Sequence, residues 1–165
     1  MIQAAIIVVS SKIRRGESSD KGRTDLEKFL NDNDIKIVAY EIVEDNRKDI
    51  SKSLLSVCTT ITPQVIFTLG GTGVRPTDWT PEATHDVIDK EIPGIAEVMR
   101  AESLKKVKTA MLSRGIAGIC GSTIIINLPG SPKGVKENLA TFLPILDHMV
   151  EKASTPIAME ATSRY

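Results

Sequence analysis

The sequence predicts an α/β domain of three αβα layers, with a mostly parallel open sheet that carries one antiparallel hairpin. Three observations predict it. Short apolar runs rich in β-branched residues recur, stretches of helical period separate most of them, and a Gly-Ser pair joins the last two directly. Runs that are apolar at consecutive positions suit strands buried on both faces, as parallel strands are.

The first run, AAIIVV (4–9), is a strand rather than a secretory signal, having no basic residue ahead of it and no small-residue cleavage site after it. Leu26, Phe29 and Leu30 then share one helical face. IKIVAYEI (35–42) is the second strand, and Ile50, Leu54, Leu55 and Cys58 mark the helix that follows. QVIFTL (64–69) is the third strand. The next helix is expected to start with Thr80 as N-cap and Pro81 at its first position, where a missing N–H costs nothing. Ile95, Val98, Met99 and Leu104 place another over about 93–107. IAGIC (116–120) and TIIINL (123–128), joined through Gly121-Ser122, form the hairpin, the one antiparallel pair expected. Ser131-Pro132 repeats the cap-plus-proline pattern before Leu139, Phe142, Leu143, Leu146 and Met149. Residues 1–152 form a single domain in this reading, and 153–165 lose the apolar period and form a tail, loosely held or at a subunit contact.

Composition narrows the function. The chain has 165 residues, 41% apolar and 25% charged, which suits one soluble globular domain. Lys and Arg total 21 against 21 Asp and Glu, so no whole-molecule field draws it to nucleic acid or anionic lipid, and neither is expected as a partner. An anionic ligand must be held locally. No apolar run approaches the ~20 residues of a membrane span. Cys58 and Cys120 form no CxxC pair, which favours a reduced, cytoplasmic location. His85 and His148 are too few and too far apart for a zinc site.

Two glycine-bearing loops follow apolar strands. LGGTGV supplies Gly70, Gly71, Thr72 and Gly73; LPGSPKG supplies Pro129, Gly130, Ser131 and Lys133. Ligands of open α/β sheets bind off the carboxyl ends of strands, where glycine admits close approach and a helix start offers N–H groups to an anion. Both loops read as anion cradles, the alternative being plain chain turns. Neither is a P-loop or a GxGxxG fingerprint, since Gly73 is followed by Val-Arg-Pro. Asp78 lies between the glycine loop and a helix start, beside any bound phosphate, and two anions brought together call for a cation. Magnesium meets that need with one or two carboxylates plus phosphate oxygens. A second carboxylate is Asp45 in EIVEDN, with Glu44 and Asp20 as supplements; the alternative for Asp45 is ordinary turn chemistry.

TLGGTGVRPTDWTPEAT, followed by IPGIAEVMR, MLSR and IIINLPGSPKG, closely resembles the molybdopterin-binding family of molybdenum cofactor biosynthesis, which includes bacterial MogA and MoaB and domains of gephyrin and plant Cnx. The resemblance runs from VVSS to the last helix. It implies binding of molybdopterin, a pterin with a dithiolene and a terminal phosphate, and, in active members, transfer of AMP from ATP to that phosphate with Mg²⁺ required. It also makes Asp78 catalytically essential and Asp45 a second metal-binding aspartate. Gly70 to Gly73, Ser113, Pro129, Gly130, Ser131 and Lys133 fall on the substrate side, and Ser10, Asp20 and Gly22 on the nucleotide side. Lys133 or Arg75 would offset charge on departing pyrophosphate. A homotrimer or dimer of trimers, a downstream metal-insertion partner, and either molybdenum or tungsten as the final metal are further implications. The competing reading is a non-catalytic pterin-binding or scaffold protein. Two departures stand out: Ser11 and Asn46 occupy positions where the family commonly has acidic residues. Trp79 is expected to pack against the sheet, and Glu97 with Arg100 to form a surface ion pair.

Overall fold

In the computed structural model, which describes residues 1–156, every expected apolar run is a strand. β1 (Ile2–Val9) pairs in parallel with β2 (Ile35–Val43) on one side and β3 (Val65–Leu69) on the other, and β3 pairs in parallel with β6 (Thr123–Leu128). β5 (Ala117–Cys120) turns into β6 through Gly121, at φ +61°, in the expected hairpin. One antiparallel pairing was not expected: β4 (Lys90–Glu91) adds to β5 at the sheet edge. Two exposed charged residues carry no apolar signature, so periodicity could not show them. The strand order is β2-β1-β3-β6-β5-β4.

Side-chain alternation along the strands splits the core in two. Ala4, Ile6, Val8, Phe67, Ile124 and Ile126 face one layer of helices, α2 (Arg23–Asp32), α5 (Pro93–Leu104) and α6 (Pro132–Ala153), which bury Leu30, Met99 and Leu139 among others. Ala5, Ile7, Val9, Ile66 and Ile125 face the other layer, where α3 (Arg47–Ser56), a π-helical turn (Val57–Ile61) and α4 (Thr80–His85) bury Ile50, Leu54, Cys58 and Ala83. These are the three layers expected. α1 (Ser11–Arg14) is a single short turn after β1. No helix among the described residues is long and apolar enough to cross a membrane.

Several local expectations need correction. Leu55, Val98 and Leu104 lie on exposed helix surface rather than in the core. An apolar residue costs little on the surface, so its presence alone does not mark the buried stripe. α5 stops at Leu104, before a 3₁₀ turn over Lys108–Leu112. Thr80 is not the N-cap of α4: Trp79 holds that place without a side-chain bond, and the Thr80 hydroxyl instead donates to the Gly70 carbonyl at 2.8 Å. Trp79 is 40% exposed and does not wedge against the sheet. α6 begins as expected, with the Ser131 hydroxyl accepting from the Gly134 N–H at 3.1 Å, and it continues through Ala153, the first residue assigned to the tail. The tail from residue 157 onward lies outside the described residues.

The order of strands positions the site. From β1 the chain moves outward to β2, then returns past β1 to β3 on its other side. At such a reversal the loops leaving adjacent strands diverge and open a crevice at their carboxyl ends. Ser10 and Gly70 sit at that crevice.

Candidate functional site

β3 runs into Gly70 at φ +97° and Gly71 at φ +68°, a conformation that residues with a Cβ rarely adopt. A Cβ at Gly70 would lie 2.8 Å from the Val9 carbonyl oxygen, so the loop also needs glycine to pass β1. The carbonyls turn inward: Gly70 O accepts from the Thr80 hydroxyl, and Gly71 O accepts from the Thr80 N–H at 3.0 Å. No backbone carbonyl among the described residues accepts from the N–H groups of Gly71, Thr72 or Gly73. Successive free N–H groups in a left-handed turn make an anion-binding concavity.

Arg114 clamps this loop. Its N–H donates to Thr72 O at 2.7 Å, Nε to Gly73 O at 2.7 Å and Nη2 to Asp78 O at 2.8 Å, while the guanidinium also pairs with Glu82. That pairing holds the Glu82 carboxyl below the usual glutamate range. Beneath the loop, the buried Asn127 amide donates to the Thr68 hydroxyl at 3.0 Å and the Thr84 hydroxyl at 2.9 Å, and Thr84 donates to Thr80 O at 2.8 Å. The loop's shape is therefore set from β6 and α4 as well as by its glycines.

Asp78 is buried, its side chain only 2% exposed. Oδ2 accepts from the Arg75 N–H at 2.9 Å and from Nε at 3.4 Å, and Oδ1 from Nη2 at 3.2 Å. Gly73 makes room for it, since a Cβ there would meet Asp78 Oδ2 at 2.8 Å. Asp45 exchanges two bonds with Ser11: its Oδ2 accepts from the Ser11 N–H at 2.7 Å, and its own N–H donates to Ser11 Oγ at 2.9 Å. The hydrogen bonds that Arg75 donates to Asp78, the charge of Asp78 and, to a lesser degree, that of Asp45 raise the Arg75 pKa. Of the two departures, Ser11 orients Asp45, and Asn46 caps α3 by accepting from the Asp49 N–H at 2.9 Å.

A cavity of about 320 Å³ opens off β1 and β3, lined by Ser10, Asp20, Gly22, Gly70, Gly71 and Gly130, with Arg75 and an apolar wall that includes Leu26 and Tyr40. Asp20 accepts a hydrogen bond from the Tyr40 hydroxyl. Burial pushes the Tyr40 pKa up, the Asp20 contact adds to it, and Arg23 lies 4.1 Å above the ring. A second cavity of about 380 Å³, on the far side of Pro129, is lined by Ser113, Ser131, Lys133 and Arg100. A third cavity, of about 600 Å³, contains Ser10, Ser11, Asp45, Arg75 and Thr77. Asp78 lines none of the three.

A family model described as "Probable molybdopterin binding domain" matches residues 5–148. The chain belongs to this molybdopterin-binding-domain family. A Helicobacter pylori protein named molybdopterin adenylyltransferase is 47% identical over 112 residues, 68% of this chain and 64% of that protein, so the match spans just under two thirds of that relative. The Escherichia coli K12 molybdopterin adenylyltransferase is 35% identical over 140 residues, 84% of this chain and 72% of its own length. The crystal structure of MoaB, a molybdopterin biosynthesis enzyme from Thermus thermophilus, superposes with a TM-score of 0.87 at 42% identity, covering 93% of this chain and 96% of that one.

In this molybdopterin-binding domain, the fold joins Ser10, Asp20, Gly22, Gly70, Gly71 and Gly130 around one cavity, and it puts Ser113, Ser131 and Lys133 around another, with Pro129 on that second side. Lys133 is 85% exposed and 3.9 Å from Glu137, whereas Arg75 reaches both the first cavity and the Asp45 cavity. Of Lys133 and Arg75, the two cations expected to offset pyrophosphate charge, only Arg75 lines the cavity of the glycine loop. Arg100 does not pair with Glu97; it donates to Gly115 O at 2.8 Å and supports the turn after Ser113. The part Asn127 plays was not assigned from the sequence, although it stands out as the lone amide in the apolar run TIIINL; Ser11 was marked only as a departure from the family pattern, and Arg114 only through its place in MLSR.

Proposed function

We propose that this chain is a molybdopterin adenylyltransferase, transferring AMP from ATP to the terminal phosphate of molybdopterin with release of pyrophosphate. The observation that carries the reading is the glycine loop with its free N–H groups, set beside the buried Asp78, whose partner Arg75 lines the same pocket as Asp45. Relatives at 47% and 35% identity that bear this name support it.

The reaction needs no protein nucleophile. An oxygen of the pterin phosphate attacks the α-phosphorus of ATP, and the bond from that phosphorus to the β,γ-diphosphate oxygen breaks, so the chain's task is positioning and charge neutralisation. A helix N-terminus contributes only ~0.3–2 kcal/mol to an anion, so several donors act together. Gly71, Thr72 and Gly73 hold the pterin phosphate through their N–H groups. Arg75 offsets charge on the departing pyrophosphate. Ser10, Asp20 and Gly22 lie on the nucleotide side, where the apolar wall with Leu26 and Tyr40 suits a flat base. Ser113, Pro129, Ser131 and Lys133 receive the remainder of the pterin, while Gly130 lines the nucleotide-side cavity.

Mg²⁺ fits this donor set. Mg²⁺ characteristically takes one or two carboxylates and completes its shell with phosphate and water, and Asp45 lines a pocket together with Arg75, the partner of Asp78. Asp78 and Asp45 would hold it, and when bound it supplies positive charge to the phosphate oxygens. Residues 1–152 act as one domain. The family resemblance extends the proposal to a cytoplasmic homotrimer or dimer of trimers that passes its product to a metal-insertion protein. Cys58 and Cys120 are free thiols, as a reducing compartment keeps them.

The test is to incubate purified protein with ATP, Mg²⁺ and molybdopterin and follow AMP attachment to the pterin for wild type and Asp78→Asn. Adenylylated pterin from wild type alone, with both proteins folded, is the expected result. If wild type binds pterin but transfers no AMP at saturating ATP, the chain is a binding protein instead.

A further inference from the structure

The carboxylate that the proposed function gives to the metal is closed off. Both oxygens of Asp78 are occupied by the Arg75 guanidinium, Oδ1 by Nη2 at 3.2 Å and Oδ2 by Nε at 3.4 Å. Asp78 lines neither the cavity at the strand ends nor the cavity beside Asp45, yet Arg75 lines both. A Mg²⁺ ion binds carboxylate oxygen at about 2.1 Å, in the space that the guanidinium now fills. Metal and guanidinium therefore compete for one buried carboxylate. The Arg75 side chain is 74% exposed, so it can leave without disturbing the core. The Arg75 backbone N–H bond to Oδ2 at 2.9 Å can persist, keeping the carboxylate aimed while its other lone pairs are freed.

We infer that Arg75 is a tethered cation that occupies Asp78 in the nucleotide-free protein and gates the divalent metal. A guanidinium binds phosphate as well as it binds carboxylate, and the two surfaces that Arg75 lines are those open to a polyphosphate. Arrival of the nucleotide draws Arg75 from Asp78 to the phosphates, and the carboxylate it leaves takes the metal. Metal and nucleotide binding are thereby positively coupled, and each strengthens the other by the same factor. This arrangement keeps a bare metal ion from loading ahead of the substrate. The inference rests on Asp78 being a metal ligand, as proposed above.

The experiment uses Mn²⁺ as the probe, with free Mn²⁺ followed by electron paramagnetic resonance during titration of wild type, Arg75→Gln, Arg75→Lys, Asp78→Asn and the double variant Arg75→Gln/Asp78→Asn. Each is titrated with and without a non-hydrolysable ATP analogue, and far-UV circular dichroism checks that each is folded. Without nucleotide, Arg75→Gln is expected to bind Mn²⁺ roughly tenfold more tightly than wild type, the scale of one lost charge-assisted hydrogen bond. Arg75→Lys keeps a competing charge and is expected to stay near wild type. With the analogue, the gap between wild type and Arg75→Gln narrows. Equal or weaker Mn²⁺ binding by nucleotide-free Arg75→Gln overturns the gate. If the double variant binds Mn²⁺ as tightly as Arg75→Gln, Asp78 is not the ligand, and the metal assignment fails rather than the gate alone.

Discussion

Replacing Asn127 with Leu tests whether the polar network under the glycine loop supports the fold from inside the core. Asn127 is 2% exposed in β6. Its amide donates to Thr68 and Thr84, and its Oδ1 accepts from the Ile116 N–H at 3.2 Å. Leucine has a similar volume and keeps the strand apolar, so the change removes three hydrogen bonds without a large cavity. Losing the amide's two bonds costs about 0.5–1 kcal/mol each, because both hydroxyls accept rather than donate in them. The Ile116 N–H is worse placed, since it is buried and left without an acceptor, at about 1–3 kcal/mol. The sum is about 2–5 kcal/mol, a large share of the ~5–15 kcal/mol typical of a whole domain. For a chain of this size that corresponds to a fall in melting temperature of roughly 4–20 °C. Urea unfolding followed by circular dichroism should show the loss as a lower midpoint with an unchanged slope. Thr84→Val removes the network's next member, and the double variant should cost less than the sum of the two single changes, because they share one hydrogen bond. A loss under about 0.5 kcal/mol for Asn127→Leu, or strict additivity, would refute this reasoning.

Gly70→Ala and Gly16→Ala separate backbone conformation from crowding. Both glycines have positive φ, at +97° and +75°, but a Cβ at Gly16 meets nothing within 4 Å while one at Gly70 lies 2.8 Å from the Val9 carbonyl oxygen. Gly16→Ala is expected to cost about 1–2 kcal/mol from conformation alone, and Gly70→Ala distinctly more; equal melting-temperature shifts would show that the loop yields freely. The Arg114 clamp predicts a pH dependence through Glu82. Arg114 holds the folded Glu82 carboxyl below its usual range, so the stability this contributes is complete above ~4.3, the ordinary glutamate value, and is lost as pH falls through the lower folded value. The melting-temperature difference between wild type and Glu82→Gln should be steady from pH 6 to 8 and shrink below about pH 4. A difference that widens on acidification would contradict the clamp.

Local chemistry alone makes every strand but β4, the main helices, the hairpin and both glycine loops legible. AAIIVV, VIFTL and TIIINL are apolar at consecutive positions because each strand is buried on both faces, and Ser131-Pro132 caps α6 through atoms three residues apart. Where the side chain's use depended on a distant partner, the same reasoning failed. Thr80 has the composition of a cap, yet its hydroxyl goes to Gly70, ten residues away, because the glycine turn brings that carbonyl within reach. Arg100 looked like half of a surface ion pair, yet it serves carbonyls beyond the end of its own helix. Asp78 could be singled out from its place between glycine loop and helix, but its seal under Arg75 depends on backbone angles that no spacing reveals. The strand order decided the rest. With β1 beside β2, Asp45 meets Ser11, and with β3 between β1 and β6, Gly70 comes against Val9 and Gly130 while Arg114 reaches across 41 residues to Gly73. Periodicity records which residues seek burial, whereas contacts between loops depend on which strands lie side by side, and that is settled only when both faces of the sheet are packed at once.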